Sequence, residues 1–296
     1  MFSLNDRSII EISGEDRQNF LQGFITNDLK LLNDNNLIYT AFLNASGRYL
    51  ADFFIFLKDQ KIFIDCHKNS AQEIVKKLNL YKLKAQINVK INQELAVFFS
   101  TNNLKRDQQF IDPRLNNFGY RFYQDFAQDD NNKIDNVVNY HLHRIINKIP
   151  EGHYDLIYDK SFIAEYDFDN LNAVSYNKGC YVGQETTARN HFRGVVRKKI
   201  FYFEIKNCSQ QLIDFLNNYD NLNSLQIDYE NLKLRGFFDN SMIEDENNKE
   251  IGMVLSNIYF KSTNEIKGLA LIKINENHQI ISSNLNFLNN QILIKN

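Results

Sequence analysis

Eight residues of this chain bring together a thiol, an ammonium, a carboxamide and a carboxylate: Lys178-Gly179-Cys180-Tyr181-Val182-Gly183-Gln184-Glu185. A cysteine acts as nucleophile or soft ligand only as the thiolate, and a nearby cation and a helix N-terminus both favour that form. Lys178 is the cation, and the pattern predicts a helix from about Gln184. Two of only 11 glycines flank the thiol, and glycine permits close backbone approach and positive φ. The chemistry implied is sulfur exchange or transient metal ligation through Cys180, with Lys178 lowering its pKa or gripping an anion. A small buried cysteine in a tight strand-to-helix connection fits the same residues. At this level both readings stand.

The other two thiols, Cys66 and Cys208, have no such neighbours and read as packing residues. There is no C-x-x-C pair and no histidine cluster at metal spacing. His141 and His143 are two apart on a predicted helix and point to different faces. A resident iron–sulfur cluster needs about four thiolates, so none is expected; at most Cys180 lends one transient ligand.

The elements that must hold this segment are legible in outline. Ser13-Gly14-Glu15-Asp16-Arg17 starts a helix that ends at Gly23. Tyr39–Leu43, Tyr49–Leu57 and Ile62–Cys66 read as strands, the first two joined by an Asn44-Ala45-Ser46-Gly47 turn. Ser70–Leu80 has helical spacing, and Val89–Ile91 and Leu95–Ser100 alternate as strands. Val137–Ile146 is helical up to Pro150. A strand runs from Val195 to Ile205, and the polar, Asn-rich stretch 206–223 reads as a linker. Short strands at Lys233–Phe238, Glu250–Leu255, Gly268–Ile274, Gln279–Ile281 and Gln291–Ile294 suggest a small β-barrel. The fold class is α+β, in three stretches: 1–110, 111–205 with the eight-residue segment, and 206–296.

With 296 residues, 43% of them apolar, the chain can bury real cores, and a net charge of −2 argues against a general nucleic-acid binder. No apolar run approaches the roughly 18 residues of a membrane span. The first residues, Met1-Phe2-Ser3-Leu4-Asn5-Asp6, lack a signal pattern, so a cytosolic protein is expected.

Lys178 to Glu185, continued by Thr186-Thr187-Ala188-Arg189 and Phe192-Arg193-Gly194, resembles the signature of the YgfZ family. These are folate-binding proteins of iron–sulfur cluster assembly or repair, paralogues of the glycine-cleavage T-protein, an aminomethyltransferase. Further matches follow in order: Phe20-Leu21-Gln22-Gly23, Thr26-Asn27-Asp28-Leu29, Leu43-Asn44-Ala45-Ser46-Gly47-Arg48, Asp112-Pro113-Arg114, Gly119-Tyr120-Arg121, Ile149-Pro150-Glu151-Gly152 and Glu250-Ile251-Gly252. The resemblance implies a three-domain T-protein arrangement around a central folate cavity with a C-terminal barrel. It implies Cys180, Lys178 and Asp52 as working residues, and Arg7, Asn27, Tyr140, Gln184 and Arg189 about a tetrahydrofolate. The partners implied are iron–sulfur client enzymes or assembly proteins, with transfer RNA concerned only indirectly. Two departures stand out. The T-protein acid pair reads Ala51-Asp52, and the family's pterin-holding glutamate and following glycine read Ile146 and Lys148. Isoleucine accepts no N–H, so weak folate binding is expected. The alternatives are a folate-dependent aminomethyltransferase, which both departures disfavour, and a non-catalytic RNA- or protein-binding module.

Overall fold

The computed structural model describes residues 1–125, 137–194, 196–218, 226–229, 232–235, 241–282 and 284–295. The chain forms two compact units, Met1–Val137 with Tyr158–Ile163 and Phe168–Arg193, and Val138–Ile157 with Ala164–Asp167 and Gly194–Asn296.

The first unit is built on a five-stranded antiparallel sheet in the order Ile38–Leu43, Tyr49–Lys58, Lys61–His67, Arg7–Ser13, Asn88–Asn92. Alternation along each strand divides the residues between two faces. Ile10, Ile12, Phe53, Ile55, Ile62 and Ile64 pack with Leu21 of helix Arg17–Gln22 and with Ala71, Ile74 and Leu78 of helix Lys68–Tyr81. The opposite face carries Arg7, Tyr39, Phe54, Phe56 and Asp65. It meets a second antiparallel sheet of Phe2–Ser3, Leu95–Ser100, Tyr120–Asp125 and Gln109–Ile111. Covered on both sides, Tyr49–Lys58 can be apolar almost throughout.

Charge runs through the seam between these sheets. Asp65 accepts from Arg7 Nε at 2.6 Å and from Arg121 Nη1 at 2.8 Å. Asp112 accepts from Arg114 Nη2 at 2.8 Å and from Arg121 Nε at 3.2 Å. Arg121 also lies over the Phe54 ring at 3.9 Å. A buried ion survives only when paired, and here each carboxylate meets two guanidinium groups. The Asp-Pro-Arg and Gly-Tyr-Arg motifs supply Asp112, Arg114 and Arg121, and the five-stranded sheet supplies Arg7 and Asp65.

The second unit holds a closed six-stranded barrel in the order Glu250–Phe260, Met242–Glu244, Leu285–Phe287, Asn290–Lys295, Lys198–Lys206, Glu265–Lys273, and back to Glu250–Phe260. A hairpin of Gln226–Tyr229 and Leu232–Arg235 extends from the far end of Glu250–Phe260. Helix Val137–Ile146 is tied to this barrel by a buried ion pair. Arg144 Nη1 donates to Asp155 Oδ2 at 2.8 Å, while Asp155 Oδ1 accepts from the Ser256 backbone N–H.

Several sequence expectations need correction. The stretch read as a linker contains helix Gln210–Asn218, because Leu212 and Leu216 are one turn apart and enter the barrel core beside Phe203 and Ile205. Its asparagines hid that stripe. Gln279–Ile281 makes only a single bridge, Ile274 to Ile280. Val195, and residues 236–238 of the strand expected at Lys233–Phe238, lie outside the described residues. Among the described residues no helix is long and apolar enough to cross a membrane.

Candidate functional site

The segment around Cys180 is an irregular turn ahead of helix Gln184–Arg193, held from beneath at several points. Lys178 is buried, and its ammonium donates to the carbonyls of Gln22, Ile25 and Asn27 at 2.8, 2.6 and 2.8 Å. It also lies over the Tyr181 ring at 4.9 Å. Burial pulls its pKa down to about 8, while Asp28 acts in the opposite direction. Three protons on three carbonyls satisfy an ammonium, so Lys178 clamps the turn to the loop after the first helix. The Val182 N–H donates to the Gly23 carbonyl, and the Tyr181 N–H to Gln184 Oε1. Gln184 therefore closes the turn.

The two glycines of the segment differ. Gly183 has φ +85°, and a Cβ there would stand 2.6 Å from the Asn44 carbonyl oxygen and 3.1 Å from Gly47 Cα. Gly47 in turn has φ +78° and sits against Thr186. The signature and the Asn44-to-Gly47 hairpin turn, some 140 residues apart in sequence, are thus in backbone contact. Gly179 has open space where its Cβ would be.

Cys180 is exposed at the top of this turn, while Cys66 and Cys208 are buried. Burial pushes the Cys66 thiol up to about 12 and the Cys208 thiol to about 11. Cys180 precedes the helix by a full turn, so the helix start does not cap it directly.

The remaining expected site residues scatter. Asp52 is buried and accepts from the Tyr39 and Tyr49 hydroxyls, both at 2.7 Å. Arg7 belongs to the inter-sheet ion network. Asn27 donates to the carbonyls of Tyr39 and Asn172 at 2.8 Å and borders an open cleft of about 700 Å³. Arg189 is exposed on the signature helix. Tyr140 belongs to the second unit, fully buried, with its hydroxyl donating to the Glu151 carboxylate. Buried against helix and turn, it is a core tyrosine there.

One cluster gave no sequence signal. Asp169 accepts from the Tyr176 hydroxyl at 2.7 Å and pairs with His191 Nδ1 at 3.0 Å. The His191 ring stacks on Tyr176 at 3.7 Å, and both border the same cleft. Only the fold joins these three positions. On the other side of the signature turn, Phe24, Phe42, Leu50, Tyr81, Tyr158 and Val182 line an apolar pocket of about 290 Å³.

The residues do not match a pterin site of the family's kind. Ile146 is half exposed and has no acceptor. Lys148 has φ +57° and closes the preceding helix in the left-handed conformation, with Lys148 N–H to Ile145 O and Ile149 N–H to Arg144 O. The family's glycine suits that backbone; the lysine adopts it at a cost. Among the described residues, no group of three His, Cys, Asp or Glu side chains stands ready to hold a metal ion.

No family model matches the chain. It is 32% identical over 226 residues to the mitochondrial iron–sulfur cluster assembly factor IBA57 homologue of Neurospora crassa, a match covering 67% of this chain and 52% of that one. The Pyricularia oryzae homologue is 34% identical over 217 residues, covering 67% and 55%. The mouse factor is 29% identical over 234 residues, covering 68% and 64%. The chain thus spans about half to two thirds of the length of these relatives. In structure it is similar to the glycine cleavage system aminomethyltransferase T of Bartonella henselae, with a TM-score of 0.66 at 12% identity, covering 99% of this chain and 83% of that one. That likeness establishes a T-protein-like fold of mixed α and β content. The relatives are mitochondrial proteins, which overturns the cytosolic expectation.

Proposed function

We propose that this chain is a YgfZ-type accessory factor for iron–sulfur cluster assembly or repair, working through Cys180. The observation that carries the proposal is that Cys180 alone of the three thiols is exposed, on a turn fixed from below by Lys178 and Gly183. The kinship with iron–sulfur cluster assembly factors supports it. The step is ligand exchange. The Cys180 thiol gives its proton to solvent, its sulfur lone pair forms a bond to iron of an incoming cluster, and a ligand of the partner protein leaves with its own electron pair. No electron changes hands. One thiolate cannot retain a cluster by itself, so the cluster remains shared and passes on. The partners are assembly proteins and cluster-containing clients, with transfer RNA concerned only through clients that modify it.

No step is routed through folate, because the pterin-holding carboxylate is missing at position 146. The aminomethyltransferase reading is weaker still, since the acid left in the pair, Asp52, is held by two tyrosine hydroxyls. Complementation of a strain lacking its own family member tests the proposal. Cys180→Ala should fold, with stability changed by no more than about 1 kcal/mol, yet fail to restore iron–sulfur enzyme activity. Cys208→Ala should restore it. Full rescue by folded Cys180→Ala would remove the thiol from the mechanism.

A further inference from the structure

We infer that the protein meeting Cys180 anchors a large aliphatic or aromatic side chain in the adjacent 290 Å³ apolar pocket and surrounds that anchor with acidic residues. The inference rests on the reading of Cys180 given above. A partner whose cluster reaches Cys180 must also cover the surface around it. A standard interface buries about 800 Å² per side, a disc of about 16 Å radius. Val182, on the pocket's rim, is two residues from Cys180 on the same turn, within about 7 Å along the chain. The pocket therefore lies inside the footprint.

Its construction is that of an interface centre. Phe24 and Tyr81 stack at 5.4 Å to form one wall. Val182, Tyr81 and Tyr158 remain 37%, 50% and 49% exposed. Apolar area left open beside a working group is where binding energy concentrates when a partner excludes water. The flank is basic. Lys76, Lys77, Lys82 and Lys84 follow along the end of helix Lys68–Tyr81 and the turn after it; Glu73 pairs with Lys77 at 3.8 Å, and no further acid occurs before Glu94, so three of the four charges are in excess. Asp159, also on the rim, is held by Asn44 Nδ2 at 2.6 Å. Such a flank selects an acidic face and repels a basic one.

The test uses the full chain in the complementing strain, with Val182→Glu, the pair Lys77→Glu/Lys84→Glu, and Cys180→Ala side by side. Iodoacetamide alkylation of Cys180 reports on the turn. Val182→Glu should lower restored iron–sulfur enzyme activity about tenfold or more, with the alkylation rate within about twofold of wild type. The charge-reversed pair lies off the turn and should lower activity several-fold with the turn intact. If Val182→Glu disturbs alkylation, the charge-reversed pair decides alone. Wild-type rescue by the charge-reversed pair, or by Val182→Glu with an intact turn, while Cys180→Ala fails, overturns this inference and leaves the Cys180 proposal standing. Rescue by Cys180→Ala overturns both.

Discussion

At the scale of single residues, the signature divides into groups that hold and one group that is held out. Lys178, Gln184 and Gly183 are internal fasteners, and Cys180 is what they present. Selective chemistry follows. At pH 8 to 9 the thiols of Cys66 and Cys208 stay protonated as well as buried, because their folded pKa values are about 12 and about 11. Iodoacetamide should therefore modify Cys180 first, with the other two following only on unfolding; mass spectrometry against time resolves the order. Equal early labelling of Cys208 would show the second unit opening far more readily than its packing allows. The residue types were readable in the sequence, but their roles were not. A lysine two positions from a thiol looks like its electrostatic helper. Only the positions of the Gln22, Ile25 and Asn27 carbonyls reveal that its protons are engaged elsewhere.

At the scale of elements, the signature turn depends on the hairpin it rests upon. Gly183→Ala should destabilise the protein by about 2 kcal/mol or more. It would force an L-residue to φ +85° and drive a Cβ toward the Asn44 carbonyl. Gly179→Ala meets open space and should stay within about 0.5 kcal/mol. Paired urea titrations settle this, and a loss at Gly179 equal to that at Gly183 would count against the packing described. Short apolar, aromatic-rich strands, such as Leu95–Ser100, and helices with a clean stripe, such as Val137–Ile146, were legible to the residue. Helix Gln210–Asn218 was not, because its four apolar residues sit among asparagine and glutamine that also suit loops. Met242–Glu244 and Leu285–Phe287 escaped too: three-residue strands carry too little pattern to be distinguished from coil.

For the molecule as a whole, the fold is T-protein-like, while position 146, where the resemblance led one to expect a pterin-holding glutamate, carries isoleucine. Tetrahydrofolate should bind this chain roughly tenfold to a hundredfold more weakly than a family member that keeps the glutamate, the cost of one unmet donor. Calorimetric titration measures this, and submicromolar affinity would show that other groups hold the ring. Likeness to iron–sulfur cluster assembly factors was legible through motifs strung in order along the chain. The cluster of Asp169, Tyr176 and His191, whose two rings border the cleft, was not, since nothing local marks three positions 22 residues apart at the extremes as neighbours.

The seam of Arg7, Asp65, Arg121, Asp112 and Arg114 has a consequence for life in acid. Burial alone would raise Asp112, but the Arg114 and then the Arg121 guanidinium hold it below the ordinary carboxylate range. A depressed folded pKa means stability that is complete above about pH 4 and lost as pH falls through the folded value. Protonation there would strand permanently charged guanidinium groups between two sheets with too little counter-charge, and the seam becomes a proton-operated latch. The urea midpoint of the protein should therefore fall steeply below about pH 4. With no tryptophan in the chain, tyrosine circular dichroism, to which the seam's Tyr123 contributes among 15 tyrosines, can follow it. A midpoint level from pH 5 to pH 3 would mean that the latch does not govern acid resistance.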